Sequence, residues 1–597
     1  MKSILTKLTL VISLSLLVAI VNPGVMATQA KEGSIPGNWE SVLKVGDQKL
    51  RLVLKVNSSK DGVLSAVLDS LDQANANNLP VDSITFQNNV LHFEMKALRI
   101  VYEGTMNKEG SEIVGTFTQA GTAFSLIFRK GGMVQSTTPV KRGRVDLKPC
   151  NDPTLTSDAL CVKYEVFENR TTRTGRRIGL NVILLPAKNP KPAPDPLFYL
   201  AGGPGGAATG YATEKFIDNL RRNRDVVLVD QRGTGDSNLL NCGFSGSRED
   251  MRPYFSEPFP VEKVRACRIE LEKIADLKLY TTSIAMDDLD EVREALGYDR
   301  VNIYGGSYGS TTSLVYLRQH GAHVRSVAIF GVAPPAAKIP LSFARGVQDS
   351  MNRLFADCAA DAACNAAYPD VSGEFKKVLA RFENGPVEVE APNVYTGATQ
   401  KVTVDRDAFV DGIRQLLYVP AAAAALPALI HIGATTGNLG PLIGTAFQVV
   451  TQISSRIARG MSFSVICAED SPFITDEEVK ATSANSFYGD ARVRPTMKAC
   501  AEWTAAKVPT TFLDPVKSDL PVLIVSGALD PVTPPWLAQE VAKTLTHSKL
   551  VIIPNATHSS YECVENLVAD FIDKGTTEGL DASCVDQIKR PPFTILK

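Results

Sequence analysis

Six apolar runs in the later part of the chain stop abruptly at turn residues, and this pattern limits the fold more than any other feature. They are PLFYLAGGPGG (196–206), DVVLVDQRGTGDS (225–237), VNIYGGSYGS (301–310), VRSVAIFGVAPP (324–335), PVLIVSGALDP (521–531) and SKLVIIPNATH (548–558). They are continuous apolar stretches rather than alternations, so each reads as a strand buried on both faces, as in a parallel sheet covered by helices. One crossover helix is legible. Ile284, Leu289, Val292 and Leu296 give it an apolar face, Ser283 stands where a cap would, and Gly297 ends it. An α/β architecture, a mostly parallel sheet, is therefore expected from residue 150 onward.

The earlier part obeys a different period. In KLRLVLKV (49–56), Leu50, Leu52, Leu54 and Val56 fall on one face and Lys49, Arg51 and Lys55 on the other. Similar stretches at 90–95 and 123–129, with turns at 60–62 and 108–110, predict a small antiparallel β-barrel or sandwich over 31–130. Ser41 and Lys44 form an S-x-x-K, but on a strand and without companion motifs it reads as chance. A Gly/Ser/Thr stretch and a basic one (131–149) read as a linker. Between 336 and 515 the strand–helix alternation stops and Ala- and Leu-rich helical pieces take over. This segment is expected to be a helical cap over the strand ends, inserted into a core of 150–335 and 516–597; an independent domain is the other reading.

With 597 residues, several domains are required. A net charge of −1 supplies no basic footprint, so nucleic acid is not expected as a partner. Lys2 and Lys7 precede an apolar run from Leu8 to Val21, with Ala27 and Ala30 beyond it. Residues 1–30 thus read as a secretory signal peptide, too short in its apolar part for a stable membrane span; a retained anchor is the alternative. Ten cysteines, all after residue 149, suit an exported, disulfide-bonded chain, secreted or periplasmic. Their order suggests that neighbours pair, although sequence alone does not decide connectivity. No Cys-x-x-Cys is present, and His320-x-x-His323, with no acid nearby in sequence, reads as a helix end. Neither a metal nor a cofactor is expected.

Gly305-x-Ser307-x-Gly309 follows a strand and precedes a helix, the context in which G-x-S-x-G lifts a serine hydroxyl out of a sharp turn. A hydroxyl needs a base. Of six histidines, His558 alone follows the last predicted strand at the sheet edge where Ser307 stands. Asp530 ends the strand before it. The order Ser307, Asp530, His558 is that of a hydrolytic triad on an open α/β sheet, whose ligands bind at the carboxyl ends of the strands. Oxyanion donors are expected from the N–H groups of Tyr308 and of Gly203, in a glycine loop where Pro204 has none. Thr533 is either a hydrogen-bond partner near Asp530 or a turn residue.

GGPGG, DQRGTGDS, GGSYGS and the turns at Asp530 and His558 together resemble the proline iminopeptidase and tripeptidyl aminopeptidase branch of the α/β-hydrolases, peptidase family S33, over residues 150–597. Ala201 departs from the histidine that many members carry before the glycines. The resemblance implies an α/β-hydrolase sheet with a helical cap, an acyl-enzyme on Ser307, and peptide substrates with a free N-terminus. A carboxylesterase using the same triad is the alternative. An aminopeptidase needs carboxylates for the substrate's amine, and Glu469 and Asp470 in VICAED (465–470) are the candidates, against a solvated acidic loop. Preferred residues, oligomeric state and the role of the β domain are not legible.

Overall fold

A computed structural model describes residues 35–45, 48–73, 76–119, 121–130, 139–244 and 246–596. The expected signal peptide lies outside these residues.

Residues 37–130 form one nine-stranded antiparallel sheet. Its first strand, Gly37–Val45, pairs both with the second, Gln48–Ser58, and with the last, Thr122–Lys130. Period-two alternation does what it predicted: along Ile100–Met106, every second residue is buried and the others face solvent. The buried face closes on Trp39, Phe93, Tyr102 and Phe128, and the Tyr102 hydroxyl donates to the carbonyls of Ile113 and Leu126. Ser41 is buried and Lys44 exposed, so the S-x-x-K pair is split between the two faces of its strand.

A buried ion pair ties this unit to the rest. Arg129 Nε donates to Glu112 Oε1 at 2.7 Å, and the same guanidinium reaches the carbonyls of Pro153 and Leu155. Glu112 also accepts from the Ser157 N–H at 3.1 Å.

The second sheet has ten strands. Six run parallel, in the order Val226–Val229, Leu197–Leu200, Val301–Gly306, Val324–Phe330, Val522–Gly527 and Ser548–Ile553. Four antiparallel strands extend one edge. Two of these, Val140–Arg142 and Val145–Pro149, correct the expected linker: 140–149 belongs to the sheet, while 131–138 lies outside the described residues. KRGR is a hairpin there, and its Gly143 lies against the backbone of Ala295–Gly297. Central strands such as Leu197–Leu200 and Val522–Gly527 are buried throughout. Their alternate residues serve two apolar layers, one through Phe198, Val227 and Ile303, the other through Tyr199, Leu228 and Tyr304.

The crossover helix runs from Thr282 to Ala295, and its cap is Thr281, which accepts from the Ile284 N–H, not Ser283. Residues 336–515 are helical except for one hairpin, Val387–Pro392 with Thr399–Val404. VEVEAP and TQKVTV alternate with period two, a signal hidden by the surrounding helices. The cap's apolar core also takes in Met251 and Phe255 from the segment after the DQRGTGDS turn. The cysteines pair as sequence neighbours: 150–161, 242–267, 358–364, 467–500 and 563–584. No helix among the described residues is long and apolar enough to cross a membrane.

Candidate active site

Ser307 sits between the strand Val301–Gly306 and the helix Tyr308–His320, with φ 58° and ψ −127°. A non-glycine residue with positive φ is strained and is retained where the surroundings hold it. The holding contacts are explicit. Ser307 N donates to Phe330 O on the next strand at 2.9 Å, and Ser310 returns a hydroxyl hydrogen bond to Ser307 O at 2.6 Å. The glycines are steric requirements. A Cβ on Gly309 would stand 2.1 Å from Leu200 O, and one on Gly305 2.1 Å from Gly309 O.

Asp530 follows the strand Val522–Gly527 and His558 follows Ser548–Ile553, which puts them at the same carboxyl edge as Ser307. The structure brings these two together: His558 Nδ1 is 2.6 Å from Asp530 Oδ2. Asp530 is 1 % exposed and saturated with donors, taking the N–H groups of Val532 and Thr533 on Oδ1 and the Thr533 hydroxyl, at 2.6 Å, on Oδ2. Burial pushes its pKa up, but the His558 charge and these hydrogen bonds outweigh burial and hold it below the ordinary carboxylate value. Between His558 and Ser307 lies the end of Val324–Phe330. Ser307 bonds to Phe330, and His558 packs so closely on Gly331 that a Cβ there would be 2.9 Å from the ring. Among the described residues no hydrogen bond joins the Ser307 hydroxyl to the imidazole. Catalytic hydrogen bonds of this kind often tighten only with substrate present.

Two neighbours of His558 went unnoticed or undecided in the sequence. The Thr533 hydroxyl, besides donating to Asp530, lies 3.0 Å from Nδ1. The Tyr418 ring packs at a tilt of 53° against the imidazole with ring centres 4.6 Å apart, and its carbonyl accepts from the Thr557 and Ser559 hydroxyls. Tyr418 ends the cap helix Arg406–Tyr418, 140 residues away in sequence, so no local motif announces it.

The glycine loop lies on the other side of Ser307. A Cβ on Gly202 would be 3.1 Å from the serine Cβ. Gly203, with φ 127°, follows it, and Tyr308 opens the helix after the serine. Among the described residues neither the Gly203 nor the Tyr308 N–H is engaged by a hydrogen bond. The DQRGTGDS turn holds this region from below. Asp230 accepts from the N–H and hydroxyl of Thr209, from Asn181 and from the Asp236 N–H. Arg232, wholly buried, binds both oxygens of Asp288 on the crossover helix.

Glu469 is not in a solvated loop. It ends the helix Arg459–Glu469 and is 2 % exposed. Its carboxylate takes the Thr282 N–H at 2.6 Å and the Thr282 hydroxyl at 2.5 Å, and that hydroxyl lies 2.7 Å from the Tyr308 phenol. Burial pushes its pKa up to about 7. Asp470 accepts from the Ile339 N–H at 2.8 Å; burial first, then the Glu469 charge, raise its pKa well above the ordinary value. Cys467 pairs with Cys500 and pins this turn. His320 does end the helix Tyr308–His320, as its H-x-x-H suggested, but the expectation of no acid nearby needs correction. An acid does face the two histidines: Asp290, from the crossover helix, is 2.9 Å from His323 Nδ1 and 3.6 Å from His320 Nδ1. Asp290 is already engaged by Arg293 and the Tyr316 hydroxyl.

Residues 195–562 match the protein family described as the alpha/beta hydrolase fold. Among curated proteins, the chain is 23 % identical to the serine protease Hip1 of Mycobacterium tuberculosis over 505 residues, 76 % of this chain and 93 % of that protein. It is 26 % identical to the tripeptidyl aminopeptidase of Streptomyces lividans over 428 residues, 65 % of this chain and 76 % of that protein. A shorter stretch of 154 residues is 30 % identical to the proline iminopeptidase of Neisseria meningitidis, 26 % of this chain and 38 % of that protein.

Proposed function

Since the chain belongs to the alpha/beta hydrolase family and is a serine hydrolase, we propose that it is an aminopeptidase of the S33 type, releasing amino acids or short peptides from substrate N-termini through an acyl-enzyme on Ser307. The observation that carries the reading is the buried Asp530–His558 pair, 2.6 Å apart, at the strand edge where Ser307 is held at φ 58°.

His558 Nε2 takes the hydroxyl proton as Ser307 Oγ attacks the substrate carbonyl carbon. Asp530 fixes the tautomer with the proton on Nδ1 and stabilises the imidazolium. Charge developing on the carbonyl oxygen meets the N–H groups of Gly203 and Tyr308. The imidazolium then protonates the leaving amine, and His558 next takes a proton from the water that attacks the acyl carbon, releasing Ser307 with its own proton restored. Glu469 and Asp470 receive the substrate's α-amine. Both Glu469 oxygens are occupied by Thr282, whereas Asp470 accepts one backbone N–H through Oδ1, so Asp470 offers the direct contact; burial raises the pKa of both acids, and an arriving ammonium favours their ionised forms. Five cystine pairs and the signal-like N-terminus support action outside the cytoplasm.

The test is a fluorophosphonate label with mapping of the modified peptide, run beside hydrolysis of peptides with free and acetylated N-termini and of simple esters. Labelling of Ser307 alone, with cleavage only of free N-termini, is expected. Labelling elsewhere rejects the triad. Ester hydrolysis without peptide cleavage rejects the peptidase reading.

A further inference from the structure

The helix Arg459–Glu469 carries its charges in the wrong order. Its first residue is an arginine, its last a glutamate whose pKa burial raises to about 7, and Asp470 follows. The helix dipole favours the reverse, so each end is electrostatically worse than a neutral residue there would be. Each end of the helix is nonetheless tied to a segment that neighbours the nucleophile. At the Glu469 end, Thr282 links the helix to Tyr308, next to Ser307. At the Arg459 end, Ala458 N donates to Gly205 O in the glycine loop at 2.9 Å.

The Arg459 guanidinium has no carboxylate of its own among the described residues. It lies over the Phe259 ring at 5.7 Å, and the Arg492 guanidinium lies over the same ring at 4.6 Å. Among the described residues, the acid paired with Arg492 is Asp411, 3.8 Å away, but it is already bound by Arg414 at 2.8 Å and by the Tyr488 hydroxyl at 2.7 Å. Three guanidinium groups thus share one carboxylate. Burial, then the Arg492 charge, push the Arg459 pKa down to about 9, the mark of a cation lacking its anion. The cluster runs on to the proposed base: Arg414 lies 5.9 Å from the Tyr418 ring, which packs at a tilt against His558.

We infer that Arg459, assisted by Arg492, binds a carboxylate of the substrate, so that the cleft selects short zwitterionic peptides whose amine faces Glu469 and Asp470 and whose carboxylate faces the arginines. The two ends of the helix are separated by ten residue steps, about 15 Å at 1.5 Å each, a distance that about four extended residues span. The carboxylate is the C-terminus of a tri- or tetrapeptide, or an acidic side chain at the same distance in a longer one. The inference rests on the peptidase reading for its substrate but not for its measurement.

The test is calorimetric titration of the Ser307→Ala protein, which binds without turnover. The probes are trialanine, trialanine amide, N-acetyl-trialanine, and the pair Ala-Ala-Glu-Ala amide and Ala-Ala-Gln-Ala amide. A charge-assisted contact predicts that the carboxylate member of a pair binds about tenfold or more tighter than its neutral mate. Preference confined to the trialanine pair assigns the C-terminus, and preference in the Glu/Gln pair assigns a side chain. Adding Arg459→Gln should bring the ratio to about one, and Arg459→Lys should restore part of it. No preference in either pair, or a ratio that survives Arg459→Gln in protein whose thermal unfolding matches that of the Ser307→Ala parent, overturns the inference. Equal binding of trialanine and its N-acetyl form would count against the amine site and hence the aminopeptidase reading, leaving the carboxylate result to stand by itself.

Discussion

The two sheets of this molecule bury their polar groups for different ends. In the antiparallel unit, the buried Arg129–Glu112 pair faces outward to the loop at Pro153–Ser157 and fastens one unit to the other. In the parallel unit, buried polar groups lie at both ends of the strands: Asn302, Ser326, Arg224 and Asp195 bind one another at the amino ends, while at the carboxyl ends Asp530 and Asp230 each collect several donors. The topology explains the contrast. A parallel sheet points all its strand ends, with the loops they feed, at one crevice, and a sheet covered on both faces leaves that edge as the place for chemistry. An antiparallel meander returns at every turn and scatters its loops to both ends. The first unit is thus built for attachment and the second for reaction, and substitutions should separate the two roles.

The largest separation is in rate. Ser307→Ala should lower hydrolysis of peptide and ester alike by about 10⁴-fold or more while leaving thermal unfolding nearly unchanged. Alanine removes the hydroxyl without relieving the positive φ, so the elbow persists. Activity within tenfold of the native level would move the nucleophile elsewhere.

The converse belongs to the clamp. Arg129→Met leaves Glu112 buried without its partner and should cost about 3 kcal/mol or more in urea unfolding. Ester hydrolysis at 25 °C should change less than about twofold, since the pair touches only the 153–157 loop. A tenfold loss of rate in folded protein would show that the antiparallel unit reaches the cleft.

The two regions were also unequally legible. Period-two alternation and continuous apolar runs identified both kinds of sheet, because burial on one face or two writes itself directly into residue order. Ser307, Asp530 and His558 were proposed because each follows a strand, and of these the structure puts Asp530 and His558 in hydrogen-bond contact. What failed was non-local. Tyr418 borders His558 from the cap, where no period distinguishes a residue facing the site from one facing a neighbouring helix. Asp290 was missed beside His323 because a helix 33 residues earlier supplies it. The linker over 140–149 was misread because a short basic hairpin has the composition of a connector, and the cap hairpin because its two short strands lie among helices.

A smaller effect tests whether the Asp530 shell is catalytic or only structural. The Thr533 hydroxyl donates to the oxygen that also accepts from His558. Thr533→Val removes that donor at nearly constant volume and should lower kcat about tenfold with KM little changed, as expected where one hydrogen bond to a charged group orients the base. Thr533→Ser should recover most of the loss. Equal changes in KM and kcat would argue for a general loosening of the turn.

The smallest effect is thermodynamic and concerns the buried acid of the cap. Glu469 has its pKa raised from an ordinary 4.5 to about 7 by burial. The folded state therefore holds a proton that the unfolded state gives up, and stability must fall as pH rises across that window. The contribution is intact below about pH 4.5 and fully lost above about pH 7. Asp470, raised in the same direction, adds to the slope. Glu469→Gln keeps one acceptor for Thr282 and no longer titrates, so its Tm should decline less than that of the native protein between pH 5 and 8, and the two curves should draw apart toward the alkaline side. Parallel curves would mean that Glu469 is ionised throughout, held by the Thr282 N–H and hydroxyl against its burial, and the acidic end of the helix would then carry its full charge at every working pH.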